Sequence, residues 1–152
     1  MFKVFFEDIN EGDSDSFGSC HVTRDEIIDF ASKYDPQPFH LDEEIAKKSV
    51  FGGLCASGWH TCAMVMRLLV DRLMEQGLAS MGSPGVDQIR WKKPVFAGDT
   101  LSVTTTITEK RDSESRPNLG LLKSAYEVRN QNGEVVMTMI ANVMVLKRAA
   151  AG

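Results

Sequence analysis

An acid and an imidazole lie five residues apart in a short segment that also contains two prolines, Tyr34-Asp35-Pro36-Gln37-Pro38-Phe39-His40. Because proline fixes the backbone torsion φ, such a loop can hold its side chains in place with little further loss of entropy. A carboxylate and an imidazole that meet in one cavity can activate water by general acid–base catalysis. The spacing alone is also compatible with a structural role, in which Asp35 ends a helix and His40 packs at the start of the next.

A second candidate feature is the glycine-containing segment Phe51-Gly52-Gly53-Leu54-Cys55-Ala56-Ser57-Gly58-Trp59-His60, which leads into the longest helical pattern of the chain. The first amides of a helix have no intrahelical acceptor, and they attract negative charge. The amide of Gly58 could therefore polarise a substrate carbonyl, as in an oxyanion hole. The alternative is that the glycines and Ala56 only allow close packing.

Helices must position both segments. A capping residue at Thr23 and the proline after Asp35 bound one predicted helix. Asp42 predicts the cap of a second, short helix over residues 43–48. The run 57–76 is apolar on nearly all sides, which is typical of a buried helix, and Gly77 is its expected end.

The last third of the chain alternates apolar and polar residues, as strands do. The predicted strands are 86–91, 101–107, a segment from 122 onward, and 135–146, with a charged loop over 110–118. Asn132-Gly133 predicts a type I′ hairpin turn. With one more strand near residues 2–6 or 16–22, the sum is an antiparallel sheet packed on one long helix, a single α+β domain over residues 1–152.

Composition narrows the function classes. The chain has 152 residues, the size of one domain, and a net charge of −4, which excludes a generic binder of nucleic acid or anionic membranes. Three cysteines do not suggest a disulfide framework, and the N-terminus lacks a signal-peptide pattern, so we expect a cytoplasmic protein that does not span a membrane. We expect no metal, because Cys55, His60 and Cys62 lack the spacing of a zinc site.

Taken together, the motifs resemble a known family. Asp35-Pro36-Gln37-Pro38-Phe39-His40, Phe51-Gly52-Gly53, Ala56-Ser57-Gly58 and Arg90-Trp91…Pro94-Val95…Gly98-Asp99-Thr100 occur in the order found in the MaoC-like dehydratases, relatives of the (R)-specific enoyl-CoA hydratases. The resemblance runs from about residue 7 to residue 147. It implies the hotdog fold, in which a curved antiparallel β-sheet wraps around a long central α-helix, and it implies homodimers, in some members assembled as trimers of dimers.

The resemblance also implies an activity, the reversible hydration of a trans-2-enoyl-CoA to the (R)-3-hydroxyacyl-CoA. By analogy, Asp35 and His40 would hold and activate the water, and the Gly58 amide would stabilise the enolate oxygen of the thioester. No cofactor is implied, because coenzyme A enters as part of the substrate. Further residues expected to contact the substrate are Gln37, Phe51, Ser57, Trp59 and Arg90.

The sequence departs from the hydratases proper, which usually carry Gly-Asp-x-Asn-Pro-x-His. Here Tyr34 replaces the glycine, Gln37 replaces the asparagine, and Ser57 stands where a histidine often precedes the oxyanion glycine. Two alternatives stay open: a hotdog acyl-CoA thioesterase, and a non-catalytic acyl-CoA-binding subunit.

Overall fold

Five antiparallel strands and three helices make up the computed structural model, which describes residues 1–151. The strands are β1 (Ser14–His21), β2 (Gly85–Trp91), β3 (Thr100–Asp112), β4 (Leu119–Arg129) and β5 (Val135–Leu146), and the helices are α1 (Arg24–Tyr34), α2 (Glu43–Lys47) and α3 (Gly58–Gln76). The strand order in the sheet is β1-β3-β4-β5-β2, so β1 and β2 form the edges. None of the helices within residues 1–151 is long and apolar enough to cross a bilayer.

The main core lies between α3 and one face of the sheet. Val65 and Leu68 of α3 join Val103, Val128 and Met137 of three strands in a single buried cluster. Alternate residues of each strand point to this side, which is the period-two pattern that the sequence predicted. The predicted α+β class is confirmed, and the first strand occupies the second of its two predicted places.

The predicted helix ends are confirmed by the hydrogen bonds and backbone conformations of the residues at them. The Thr23 hydroxyl accepts a hydrogen bond from the Glu26 amide at 3.2 Å, and the Asp42 carboxylate accepts one from the Ile45 amide at 2.9 Å. α1 ends at Asp35, as predicted. α3 ends where Gly77 adopts a left-handed conformation with φ of 70°, which costs glycine nothing.

The expectation that α3 is buried on all sides is wrong for the single chain. Trp59, Met66, Val70 and Met74 recur at helical spacing and are exposed. The opposite face of α3 packs on the sheet. α3 is therefore apolar on two faces. One face packs in the core, and the other is left uncovered in the single chain.

The predicted charged loop over residues 110–118 is shorter than expected. β3 runs on to Asp112, and β4 already begins at Leu119. Lys110 fits in the strand because its amine donates to the Ile9 carbonyl at 2.6 Å and lies 4.6 Å from the centre of the Phe6 ring. Lys110 therefore finds its partners outside the sheet, and the backbone pairing of β3 with β4 continues at this position.

The turn between β4 and β5 is also wider than predicted. Five residues, 130–134, connect the strands, and Gly133 alone has a positive φ, whereas a type I′ turn requires one at Asn132 as well. The Asn130 side-chain oxygen accepts hydrogen bonds from the amides of Asn132 and Glu134. This side chain closes a longer loop that the two-residue motif does not predict.

His60, in the first turn of α3, is a buried histidine with one ring nitrogen unsatisfied. Its imidazole stacks on the Phe30 ring of α1, with centroids 4.8 Å apart and planes within 10°. Nδ1 makes no hydrogen bond to any part of the chain that the structure describes. Burial lowers the pKa of His60, and the nearby Glu26 carboxylate opposes this effect.

We expect the free energy of unfolding to decrease as the pH falls below about 6.5, the ordinary pKa of histidine, because the unfolded chain then binds a proton that folded His60 resists. His60→Phe keeps a ring against Phe30 and removes the titration, so its stability should fall less over the same range. Urea unfolding between about pH 8 and pH 5 measures both dependences. His21→Phe, at an exposed histidine, is the control. Identical pH dependences for the wild type and His60→Phe would contradict the assignment.

Candidate active site

The Asp35 carboxylate lies at the end of α1, where it accepts hydrogen bonds on both oxygens. Oδ2 accepts from the Ser57 hydroxyl at 2.6 Å, and Oδ1 accepts from the Gln37 side-chain amide at 2.7 Å. The side chain of Asp35 is only 17% exposed. Burial by itself would raise the pKa of Asp35, but the two donors and the proximity of His40 together hold that pKa below its usual value. Asp35 is therefore ionised at neutral pH.

His40 presents one ring nitrogen to this carboxylate and anchors the other. Its Nδ1 lies 2.7 Å from the Cys55 carbonyl oxygen. A carbonyl only accepts hydrogen bonds, so Nδ1 carries a proton. Nε2 lies 3.5 Å from Asp35 Oδ2, and in the neutral ring it carries a lone pair. One water could contact both atoms at ordinary hydrogen-bond distances.

The proline-containing loop places these groups by its own backbone bonds. The Gln37 amide donates to the Asp35 carbonyl at 2.8 Å, and the His40 amide donates to the Gln37 carbonyl at 2.9 Å. Pro38 opens a single 3₁₀ turn, Pro38–His40, where its missing N–H leaves no donor unsatisfied. The turn carries the buried imidazole of His40 back toward the end of α1.

The Cys55 carbonyl, which accepts the hydrogen bond from His40, lies in a segment that is held by the turn over residues 95–99. The Ala56 amide donates to the Val95 carbonyl at 2.8 Å. Within that turn, buried Asp99 accepts from the Phe96 amide at 2.9 Å and from the Gln131 side chain at 3.0 Å. Sequence reasoning missed the Cys55 carbonyl, because a backbone acceptor leaves no mark on residue type. The Gly98-Asp99 pair, which is also part of the resemblance, was the available signal for the turn.

Gly58 opens α3 directly after fully buried Ser57, and its position requires glycine. A Cβ at residue 58 would lie 2.5 Å from an atom of the Trp91 ring, well inside contact distance. The Trp91 ring in turn contacts Trp59 edge-on, with centroids 5.3 Å apart. The close approach of the end of β2 to the start of α3 therefore favours glycine at this position.

The structure brings most, but not all, of the predicted site residues together. Gln37 and Ser57 contact Asp35, and the Phe51 ring lies 6.4 Å from the His40 ring, centre to centre. Trp59 is 60% exposed on the uncovered face of α3. Arg90 lies on β2 opposite Thr138, while its neighbours Ile89 and Trp91 contact the core and α3. Since side chains alternate along a strand, Arg90 points to the outer face of the sheet, away from Asp35 and His40.

The cysteine side chains belong to no group of possible metal ligands among the described residues. Within residues 1–151, no three His, Cys, Asp or Glu side chains converge in a way that could hold a metal ion. Cys20, Cys55 and Cys62 are free thiols. Burial raises the pKa of the Cys55 thiol to about 11, so Cys55 stays protonated at neutral pH and is poorly suited to nucleophilic attack.

Comparison with known proteins places the chain in a family. The MaoC like domain matches residues 11–128, which include the whole Asp35–His40 loop and the start of α3. The chain belongs to the MaoC-like family. An (R)-specific enoyl-CoA hydratase from Rhodospirillum rubrum is 31% identical over 105 residues, which are 68% of this chain and 69% of that protein. The uncharacterized protein YdeM from Bacillus subtilis is 34% identical over 114 residues, 74% of this chain and 78% of that protein.

A solved MaoC-like structure confirms the predicted arrangement of the fold. The crystal structure of the MaoC-like dehydratase from Rhodospirillum rubrum superposes with a TM-score of 0.86 at 41% sequence identity, covering 96% of this chain and 99% of that one. The sheet with its central helix is the hotdog fold of this MaoC-like family, as the sequence predicted.

Gly58→Ala should force the Trp91 ring to move, because the added methyl group overlaps it. We expect a loss of about 1–3 kcal/mol in the free energy of unfolding and a change in tryptophan fluorescence. In a Trp91→Ala background the same substitution should cost less, since the overlapping ring is gone. Chemical unfolding of the four proteins of this double-mutant cycle measures the coupling. An equal cost in both backgrounds would show that contact with Trp91 does not select the glycine.

Proposed function

We propose that the protein reversibly hydrates a trans-2-enoyl-CoA to the (R)-3-hydroxyacyl-CoA. The observation that carries the proposal is the pairing of an ionised Asp35 with a His40 whose Nδ1 is anchored and whose Nε2 faces the carboxylate at 3.5 Å. A relative named (R)-specific enoyl-CoA hydratase, matched over about two thirds of the chain, supports the same reaction class.

In the proposed mechanism, His40 is the base. A water held between Nε2 and Asp35 Oδ2 gives a proton to Nε2 while its oxygen bonds to the β-carbon of the enoyl thioester. The π electrons of the double bond move toward the thioester oxygen, which gives an enolate. The imidazolium then returns the proton from Nε2 to the α-carbon, so one molecule of water has been added and His40 is neutral again. Delivery of both groups from one side gives a syn addition.

Asp35 and Gly58 would stabilise the charges that form along this path. The Asp35 carboxylate, kept ionised by its donors, lies next to the imidazolium that develops on His40. The Gly58 amide, at the start of a 19-residue helix, is a preorganised donor for the enolate oxygen. A histidine base suits this chemistry because its ordinary pKa lies near neutral pH.

Loss of enoyl absorbance from crotonyl-CoA tests the activity, and chiral analysis of the product tests the R configuration. Asp35→Asn and His40→Gln preserve size and should each lower kcat by about 100-fold or more, the usual contribution of an acid–base group. Ser32→Ala, at an exposed serine of α1, is the control and should keep full activity. Full activity in either site variant would remove that residue from the mechanism. Release of free thiol would instead indicate a thioesterase, and binding without either signal a non-catalytic subunit.

We also propose that two copies of the chain associate through the uncovered face of α3. That face carries Trp59, Met66, Val70 and Met74, all exposed, and such a contiguous apolar face marks an interaction site. The neighbouring strand β2 is an edge with half-exposed Val86 and Trp91. A second copy suits both features, because a two-fold axis can bring an edge strand and a helix face onto themselves.

Met66→Glu should dissociate this assembly, because it places a carboxylate in the centre of the apolar face. We expect light scattering coupled to size exclusion to give at least twice the chain mass for the wild type, six times if dimers associate further, and a smaller assembly for the variant. Arg67→Glu, one residue away and exposed, is the matched control. A wild-type mass of one chain, or an unchanged mass for Met66→Glu, would contradict the proposal.

The compartment is a further proposal. Cys20, Cys55 and Cys62 are free thiols, which suits a reducing environment. We propose the cytoplasm.

A further inference from the structure

Ser57 occupies a capping position but does not cap. It is the residue before α3, where a serine side chain usually accepts a hydrogen bond from the second or third amide of the helix. Among the described residues its side chain makes no such bond, and Oγ instead donates to Asp35 Oδ2 at 2.6 Å. The hydroxyl is thus directed at the carboxylate rather than at the helix that it precedes.

We propose that Ser57 is a positioning residue for the reaction, which orients Asp35 and keeps it charged in front of His40. This inference rests on the proposed hydration, and it replaces our expectation that Ser57 contacts the substrate. Oδ2, the oxygen that accepts from Ser57, is the same atom that lies 3.5 Å from His40 Nε2. The bond therefore fixes the atom that holds the water.

Burial distinguishes Ser57 from the other donor to Asp35. Ser57 is fully buried, so no water can replace its hydroxyl without a rearrangement. Gln37 is exposed, and solvent can take over its bond to Oδ1. A hydrogen bond to a charged group that water cannot replace is worth more than one that it can. Asp35 should thus depend on Ser57 more strongly than on Gln37.

The diverted hydroxyl has a second consequence at the start of α3. A capping side chain would cover the first amides of the helix, and here it does not. One serine therefore donates a hydrogen bond to the carboxylate and leaves the amide end of α3 free for an anionic oxygen. The hydrogen-bond donor to Asp35 and the proposed oxyanion donor are adjacent residues, Ser57 and Gly58.

Kinetics of Ser57→Ala provide the first test. We expect kcat for crotonyl-CoA hydration to fall roughly 10- to 100-fold with a much smaller change in KM, because the lost bond acts on the catalytic carboxylate. The thermal midpoint should fall by several degrees, because the lost bond also stabilises the ionised carboxylate in the folded state. Ser57→Thr keeps the hydroxyl and should restore most of kcat. Gln37→Ala should lower kcat less than Ser57→Ala does.

Titration of the Asp35 carboxyl provides the second test and does not depend on activity. Carbon-13 NMR of protein labelled at the aspartate side-chain carboxyl, with Asp35→Asn to assign the signal, should show a higher pKa for Asp35 in Ser57→Ala than in the wild type. Ser124→Ala, at another buried serine, which lies on β4, is the matched control and should leave the titration of Asp35 in place.

The outcomes separate this inference from the proposed function. If the wild type hydrates crotonyl-CoA and folded Ser57→Ala does so with unchanged kcat, or titrates Asp35 unchanged, the inference is overturned and the function stands. If the wild type lacks hydratase activity, the proposed function is wrong and the catalytic role of Ser57 falls with it. The titration then decides whether Ser57 holds the carboxylate ionised.

Discussion

A carboxylate that is largely removed from water stays ionised only if the protein supplies hydrogen-bond donors to it, and the rest of the site depends on this constraint. Asp35 is largely buried and yet ionised, because Ser57 and Gln37 each donate to one of its oxygens. Burying a charge without partners would protonate it instead. The ionised state gives His40 a negative neighbour, and an imidazole beside a fixed negative charge can accept and return a proton with little reorganisation. The proposed chemistry thus depends on the hydrogen bonds that keep Asp35 ionised.

The fold meets this requirement with three separate pieces of chain. The end of α1 supplies Asp35, the proline turn supplies His40, and residues 55–57 supply a carbonyl and a hydroxyl. The sheet contributes indirectly, since the segment before α3 bonds to the turn ahead of β3 and the last residue of β2 closes over Gly58. The groups of the candidate site therefore lie on loops that the core elements fix at both ends.

The features that could be predicted from the sequence are those that depend on residues close together in the chain. The Asp35–His40 loop was identifiable because prolines, an acid and a histidine occur within a few residues, and the helix ends followed from capping side chains. The role of Ser57 was not predictable, because a serine before a helix normally indicates a cap, and only the fold brings Asp35 within reach. The exposed face of α3 was predicted to be buried, because a run of apolar residues does not distinguish a face in the core of the chain from an apolar face on its surface. Arg90 was expected to contact the substrate, whereas its register on β2 turns it to the outer face of the sheet, away from Asp35 and His40.

The proton arrangement of His40 is the most direct test of the account. Long-range nitrogen-15 correlation spectra of the wild-type protein at neutral pH distinguish protonated from unprotonated ring nitrogens, with His40→Gln to assign the signals. The account predicts that Nδ1 carries a proton bonded to the Cys55 carbonyl and that, in the neutral ring, Nε2 carries a lone pair facing Asp35. A neutral ring protonated on Nε2 would contradict it, because the nitrogen that faces the carboxylate could not then accept a proton from water.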